Sequence, residues 1–334
     1  MGVKLNNWVL YMTFDQSLDD VRVESMFFGE GYMKIERPWA RLGIGILVMV
    51  IVVIVGFSWV AAMIPTWGST SQEVALELPG DKLVPTPDIL WNHAITIRAP
   101  AKAIYPWLIQ MGDSRAAFYS ITFIENLFCM TSGECRYVNA DRIHEEWQNP
   151  VKGKQGIIMD FLVIHDYQPD QYVLATATDK MPLKWTWLWY IQPVNELTSR
   201  LIVRHRIDVP EEFPRQAFTW IMNMGYVMER AMMLGIRDRS EGHLPSSWEE
   251  PLGAAIWLLV FALGVVAAVD FVRYPSGYHA LGVGLEAIII LFILTFIQPP
   301  MWVRGVLLLM VVSGIVVVYW RRSGRRLFLT RRST

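Results

Sequence analysis

WNHAITIRAPAKAIYPWLIQMG, residues 91–112, is the stretch whose reading sets the fold. Residues 91–97 alternate as a strand does, and Ala99-Pro100 ends the alternation. Pro100 then opens a helix through Gln110, with Ile104, Trp107, Leu108 and Met111 at helical spacing. Working outward, YSITFIENLF (119–128) fits a second short helix. Strands are predicted at 156–167, 172–178, 183–191 and 199–209, with turn residues at Gln168-Pro169-Asp170-Gln171 and around Asn195-Glu196. A long helix from about Phe213 to Arg239 closes the unit. Phe213, Ala217, Trp220, Met224, Val227, Met228, Ala231 and Gly235 form its apolar stripe. The order predicts an α+β domain in which a curved antiparallel sheet wraps one long C-terminal helix.

The flanks are of another kind. LGIGILVMVIVVIVGFSWVAAM, residues 42–63, holds no charge across 22 positions, enough to cross a hydrocarbon layer of ~30 Å. Asp15, Asp19, Asp20 and Glu24 precede it, which argues against a signal peptide. Three further candidate spans lie at 253–272, 278–297 and 303–320, the last two joined as a tight hairpin by Gln298-Pro299-Pro300. Over all 334 residues, 53% are apolar and 18% charged, where a soluble domain carries roughly 25% charged. The net charge of −1, taken over the whole chain, implies no nucleic-acid partner. Its distribution is uneven: residues 64–250 carry 17 basic and 23 acidic side chains, and residues 251–334 carry 8 and 2.

Arg321, Arg322, Arg325, Arg326, Arg331 and Arg332 put the C-terminus on the cytoplasmic side, and Lys34, Arg37 and Arg41 do the same for the N-terminus. The expected organisation is a cytoplasmic segment 1–41, a first span 42–63, an extracytoplasmic domain 64–250 with its core at about 85–241, spans within 251–320, and an Arg-rich cytoplasmic tail 321–334. The chain is thus expected to be a multi-pass plasma-membrane protein. Two cysteines exclude a disulfide-rich scaffold and a Cys-only zinc site. Cys129 and Cys135 fall in the outer region, where a short-loop disulfide and two free thiols both stay open. Glu286, inside the third candidate span, reads as reaching toward the cytoplasmic interface or Arg273 rather than as a transport site.

Five ordered segments carry a family resemblance: ITIRAPAKAIYPWLIQMG (95–112), FYSITFIENL (118–127), NADRIHEEWQ (139–148), TSRLIVRHR (198–206) and VMERAMMLGIRDRSE (227–241). They resemble the START/polyketide-cyclase-like superfamily (SRPBCC, helix-grip fold), and within it a bacterial branch. The resemblance spans about 85–241 and excludes the spans. An insert around Cys129–Cys135 and the membrane anchoring depart from the superfamily pattern. The resemblance implies a cavity between sheet and long helix.

This sequence supplies linings for such a cavity: Trp107, Met111, Tyr119, Trp187, His205, Met224 and Met228 are the candidate ligand contacts. Trp185, Trp187 and Trp189 share one strand face, as do Leu201, Val203, His205 and Ile207. Arg200, Arg204 and Arg206 occupy the opposite face and read as a solvated row or one that steers toward anionic headgroups. Glu125 is a candidate acid/base, with pairing to Arg115 as the preferred structural reading. His144-Glu145-Glu146-Trp147 is not a zincin motif, and the six histidines, at 93, 144, 165, 205, 243 and 279, lack metal-ligand spacing. No phosphate loop, nucleophile elbow or dinucleotide fingerprint occurs, so neither metal nor cofactor is expected.

The leading expectation is a non-catalytic domain that binds a hydrophobic small molecule, lipid or isoprenoid-like, beside the bilayer. The alternatives are a cyclase or dehydrase using Glu125 or His205, and a sensor module that signals through the spans to a protein partner the sequence does not identify.

Overall fold

The computed structural model describes residues 4–5, 8–9, 38–132, 137–274 and 278–330, and of 4–5, 8–9, 38, 128–132, 278 and 321–330 the backbone alone. The elements are β1 (Lys4–Leu5), β2 (Trp8–Val9), α1 (Pro38–Met63), α2 (Ser71–Ala75), β3 (Ile89–Ile97), α3 (Ala101–Ile109), α4 (Thr122–Ser132), β4 (Gly156–Ile158), β5 (Leu162–Gln168), β6 (Tyr172–Ala177), β7 (Lys184–Asn195), β8 (Thr198–Asp208), α5 (Arg215–Ser240), α6 (Glu249–Arg273), α7 (Tyr278–Phe292) and α8 (Met301–Thr330). A π-helical turn, Ile293–Ile297, prolongs α7. The protein is therefore α+β. Four stretches are long and apolar enough to cross a membrane: Trp39–Thr66, Glu249–Arg273, His279–Ile297 and Met301–Trp320.

β3 to β8 form one antiparallel sheet in the order β3-β8-β7-β6-β5-β4. Register fixes its two faces, because directly opposed residues point the same way. One face holds the rows Trp91/His205/Trp187/Ala175 and His93/Val203/Trp189/Val173. α3 and the second half of α5 pack there, through Ile104, Leu108, Met232, Met233 and Ile236. Gly235 lets the segment before α4 run close against α5: a Cβ there would meet the Tyr119 carbonyl oxygen at 2.1 Å.

The other face holds Asn92/Arg204/Leu188/Leu174, and it corrects the expectation of a solvated arginine row. The segment between α1 and β3 lies across it. Arg204 is buried, donating to Asn92 Oδ1 (2.8 Å), Asp81 Oδ2 (2.7 Å) and the carbonyls of Glu73, Val74 and Leu76. Arg200 bridges Glu73 and the Gly68 carbonyl, and Arg206 holds the carbonyls of Val84 and Pro85. These guanidinium forks satisfy a loop backbone that would otherwise be buried unpaired.

Two predicted elements differ. The second short helix starts at Thr122, not 119, because Ala117 (φ 55°) and Tyr119 (φ 56°) stand in the left-handed region. The single strand predicted at 156–167 is a hairpin of β4 and β5, reversed at Met159 (φ 45°). Cys135 and the side chain of Cys129 lie outside the described residues.

Candidate functional site

The domain meets the apolar helices at a buried ionic cluster. β3 contributes His93, β8 His205 and α5 Glu229, all buried. Glu229 bridges them: Oε1 faces His93 Nδ1 and Oε2 faces His205 Nε2. The remaining ring nitrogens are occupied too. His93 Nε2 meets the Ile64 carbonyl at 2.7 Å, and Trp185 Nε1 donates to His205 Nδ1 at 2.9 Å. Both partners of His93 are acceptors, so its ring satisfies them only with a proton on each nitrogen. His205 accepts at Nδ1 and donates at Nε2, as a neutral imidazole does. Burial pushes the Glu229 carboxyl upward, but the two imidazoles outweigh it and hold it well below the usual carboxylate range. His205 has no ring nitrogen left over for a substrate.

Aromatic rings surround these groups. Trp187 stacks on His205 with centroids 5.4 Å apart, Trp91 lies edge-on to it at 5.7 Å, and Tyr226 packs on His93 at 5.4 Å. The cluster also touches the ends of the apolar helices. Ile64, which accepts from His93, follows α1 directly. Next to Glu229, Arg230 donates to the Ile297 carbonyl at the end of the α7 stretch (2.6 Å from Nη2) and lies 4.1 Å over the Trp67 ring. Gln298 Nε2 donates to the Val227 carbonyl at 2.7 Å. At the start of α6, Glu250 accepts from Thr122 Oγ1 (2.6 Å) and the Phe123 amide (3.0 Å) of α4.

The candidate ligand contacts fall into two groups. Trp107, Met111, Tyr119, Trp187 and His205 are buried inside the sheet-and-helix layer, and Met228 sits half-buried against Ser120. Trp107 meets Tyr119 edge-on at 5.8 Å, and Gln110 Nε2 donates to the Tyr119 hydroxyl at 2.9 Å. Met224 stands apart from these, exposed on α5. The same interior holds donors without acceptors: the indole N–H groups of Trp187 and Trp189 and the Tyr105 hydroxyl are buried with no partner. An open groove of about 550 Å³ borders Leu83, Met181, Leu183, Trp185, Asp208 and Pro210, and so reaches the indole that serves His205.

Glu125 does not pair with Arg115, whose guanidinium instead holds the carbonyls of Ile109 and Met111. Both Glu125 oxygens are buried without a partner. Burial, and then the charge of Glu250, push the carboxyl up from 4.5 to about 7. An acid with a raised folded pKa loses stability as pH climbs from the unfolded to the folded value, and the loss stays constant above that. The window here is 4.5 to about 7, and the full penalty is on the order of 3 kcal/mol. Glu125→Gln is expected to raise the denaturant midpoint of the full chain at about pH 8 and to leave it unchanged near pH 4. Equal midpoint gains at both pH values would remove this account of Glu125.

No His, Cys, Asp or Glu grouping suited to a metal ion occurs among the described residues. Glu286 borders an open groove of about 570 Å³ with His279 and Ser313. Sequence reasoning missed His93 and Glu229. His93 alternates with Trp91 and Ile95, the same pattern that singled out His205, and Glu229 stands three and four residues from the buried Tyr226 and Met233.

The arrangement defines a class: an antiparallel sheet-and-helix domain joined to a set of four apolar helices, with contacts to α1, α6 and the α7 stretch. No protein-family model matches the chain, and no curated protein matches it. Among solved structures, a conserved protein of unknown function from Enterococcus faecalis is similar at 12% identity and TM-score 0.26, covering 47% of this chain and 74% of that one. CalC, a self-sacrificing resistance protein from Micromonospora echinospora, gives 11%, 0.28, 46% and 94%. A START superfamily protein from Mycobacterium smegmatis gives 11%, 0.21, 46% and 96%. At these TM-scores the likenesses carry no argument about function.

Proposed function

We propose that residues 64–250 form a helix-grip domain of the START/polyketide-cyclase-like type that binds a hydrophobic small molecule, lipid or isoprenoid-like, without transforming it. The observation that carries this reading is the set of orphaned donors in the buried interior: Trp187 Nε1, Trp189 Nε1 and the Tyr105 hydroxyl. A buried donor without a partner costs about 1–3 kcal/mol, and an acceptor on an apolar ligand would relieve it. Trp107, Met111, Tyr119, Trp187 and Met228 supply apolar walls around it. The fully engaged ring of His205 argues against its use as the acid or base of a cyclase. The domain lies outside the cytoplasm, with both termini inside, so the ligand is drawn from the adjoining leaflet.

A second reading adds to the first. The contacts of His93, Arg230 and Glu250 with Ile64, Ile297 and α4 join the domain to three of the apolar helices, which suits a module whose occupancy is passed to a partner across the membrane. The ligand reading is tested on full chain purified from membranes and extracted with organic solvent. Trp187→Phe, which removes the N–H and keeps most of the ring packing, is expected to lower the amount of co-extracted lipid about tenfold. Lipid retained equally by Trp187→Phe and by a Trp187→Phe/Trp189→Phe double variant would overturn the role of the orphaned donors.

A further inference from the structure

The first half of α5 carries a charge-free, mostly apolar stretch. Residues 217–225, AFTWIMNMG, hold no charge, and among them only Thr219 and Asn223 are polar. A helix apolar all round belongs in a core or in lipid. The chain covers one side only: Phe218 and Met222 pack with Phe57, Phe292 and Phe296 against Tyr226 and Val227. On the other side Trp220 is 54% exposed, Ile221 68% and Met224 55%. Trp220 nevertheless stacks on Phe57 of α1, centroids 4.4 Å apart and planes at 19°. Phe57 lies seven residues before Ile64, which sets it roughly 10 Å below that end of the helix. The exposed face of α5 thus runs on from the lipid-facing surface of α1. Arg215, paired with Asp88 at 2.9 Å, and exposed Glu211 and Glu212 mark where charge resumes at the N-terminal end.

We infer that residues 217–225 of α5 lie in the bilayer interface on the domain's side, with Trp220, Ile221 and Met224 against acyl chains. This makes α5 a fifth membrane-contacting helix. The inference rests on α1 crossing a bilayer. It also accounts for Met224, whose exposure leaves it no part in the interior.

The test uses full chain in phosphatidylcholine/phosphatidylglycerol vesicles, with Cys129→Ser and Cys135→Ser removing the native thiols. Nitroxide labels are placed separately through Ile221→Cys and Met224→Cys. Ile54→Cys on the exposed face of α1 and Leu197→Cys at the exposed β7–β8 turn serve as references. The ratio of collision with oxygen to collision with a water-soluble nickel chelate reports depth. Labels at 221 and 224 are expected to exceed the Leu197 ratio at least about threefold, toward the Ile54 value. Ratios equal to that of Leu197, with Ile54 reading lipid, would overturn the inference and leave the membrane reading standing. An aqueous ratio at Ile54 would overturn both. Exclusion of both reagents at 221, with spin–spin broadening that vanishes on dilution with unlabelled chain, would assign the face to a second copy and overturn the lipid assignment.

Discussion

Glu229→Ala is expected to destabilise the full chain by about 3–5 kcal/mol, because it strands two buried imidazole rings without their shared acceptor. Both rings stay where the sheet places them, with their other nitrogens still held by the Ile64 carbonyl and the Trp185 indole. Glu229→Gln should be far milder, costing about 1 kcal/mol. An amide nitrogen in place of Oε1 donates to His93 Nδ1 once that ring gives up one proton, and the amide oxygen still accepts from His205 Nε2–H. Every group in the neutral array then has a partner. Denaturant midpoints of the three chains in micelles, followed by tryptophan fluorescence, measure the order. His93→Ala combined with Glu229→Ala should fall short of the summed single effects by about 1–3 kcal/mol. Equal losses for the alanine and glutamine variants, or strict additivity, would mean the cluster is not the ionic unit described.

Arg204→Met is expected to cost a similar 3–5 kcal/mol, with a different signature. The substitution keeps the stem's volume but leaves Asp81, Asn92 and three backbone carbonyls without their common donor. The segment between α1 and β3 then loses its clamp while the sheet's other face is untouched. Limited proteolysis should open new cleavage sites within 70–88 well before the midpoint of unfolding, and mass mapping of the fragments would locate them. Arg204→Lys should recover only a minority of the loss, since one ammonium cannot reproduce a planar fork with five bonds. A proteolysis pattern identical to that of the unchanged chain would contradict the clamp.

What was legible in the sequence followed from local rules. A charge-free run such as 42–63 has few folded alternatives, and α1 covers it. Alternation in TSRLIVRHR separated His205 from the arginines on opposite faces, and the register agrees. The destination of each face was not legible. Arg200, Arg204 and Arg206 find most of their partners in 68–85, a stretch with no periodicity to announce it. The His93–Glu229 contact joins residues 136 apart in sequence, which only tertiary packing brings together. For α5 the predicted stripe misses the covered side in the first half: Trp220 and Met224 are exposed, while Phe218, Met222 and Tyr226 carry the packing. Where a helix is apolar nearly all round, periodicity cannot choose its buried face.

Native mass spectrometry of the full chain released from micelles tests the central claim, a domain holding an apolar ligand inside its sheet-and-helix layer. The account predicts one apolar adduct per chain, reduced in the Trp187→Phe variant and identifiable by organic extraction. A clean apo mass that no panel of membrane lipids or isoprenoids shifts would contradict it, and would leave the orphaned donors of the interior without a ligand to explain them.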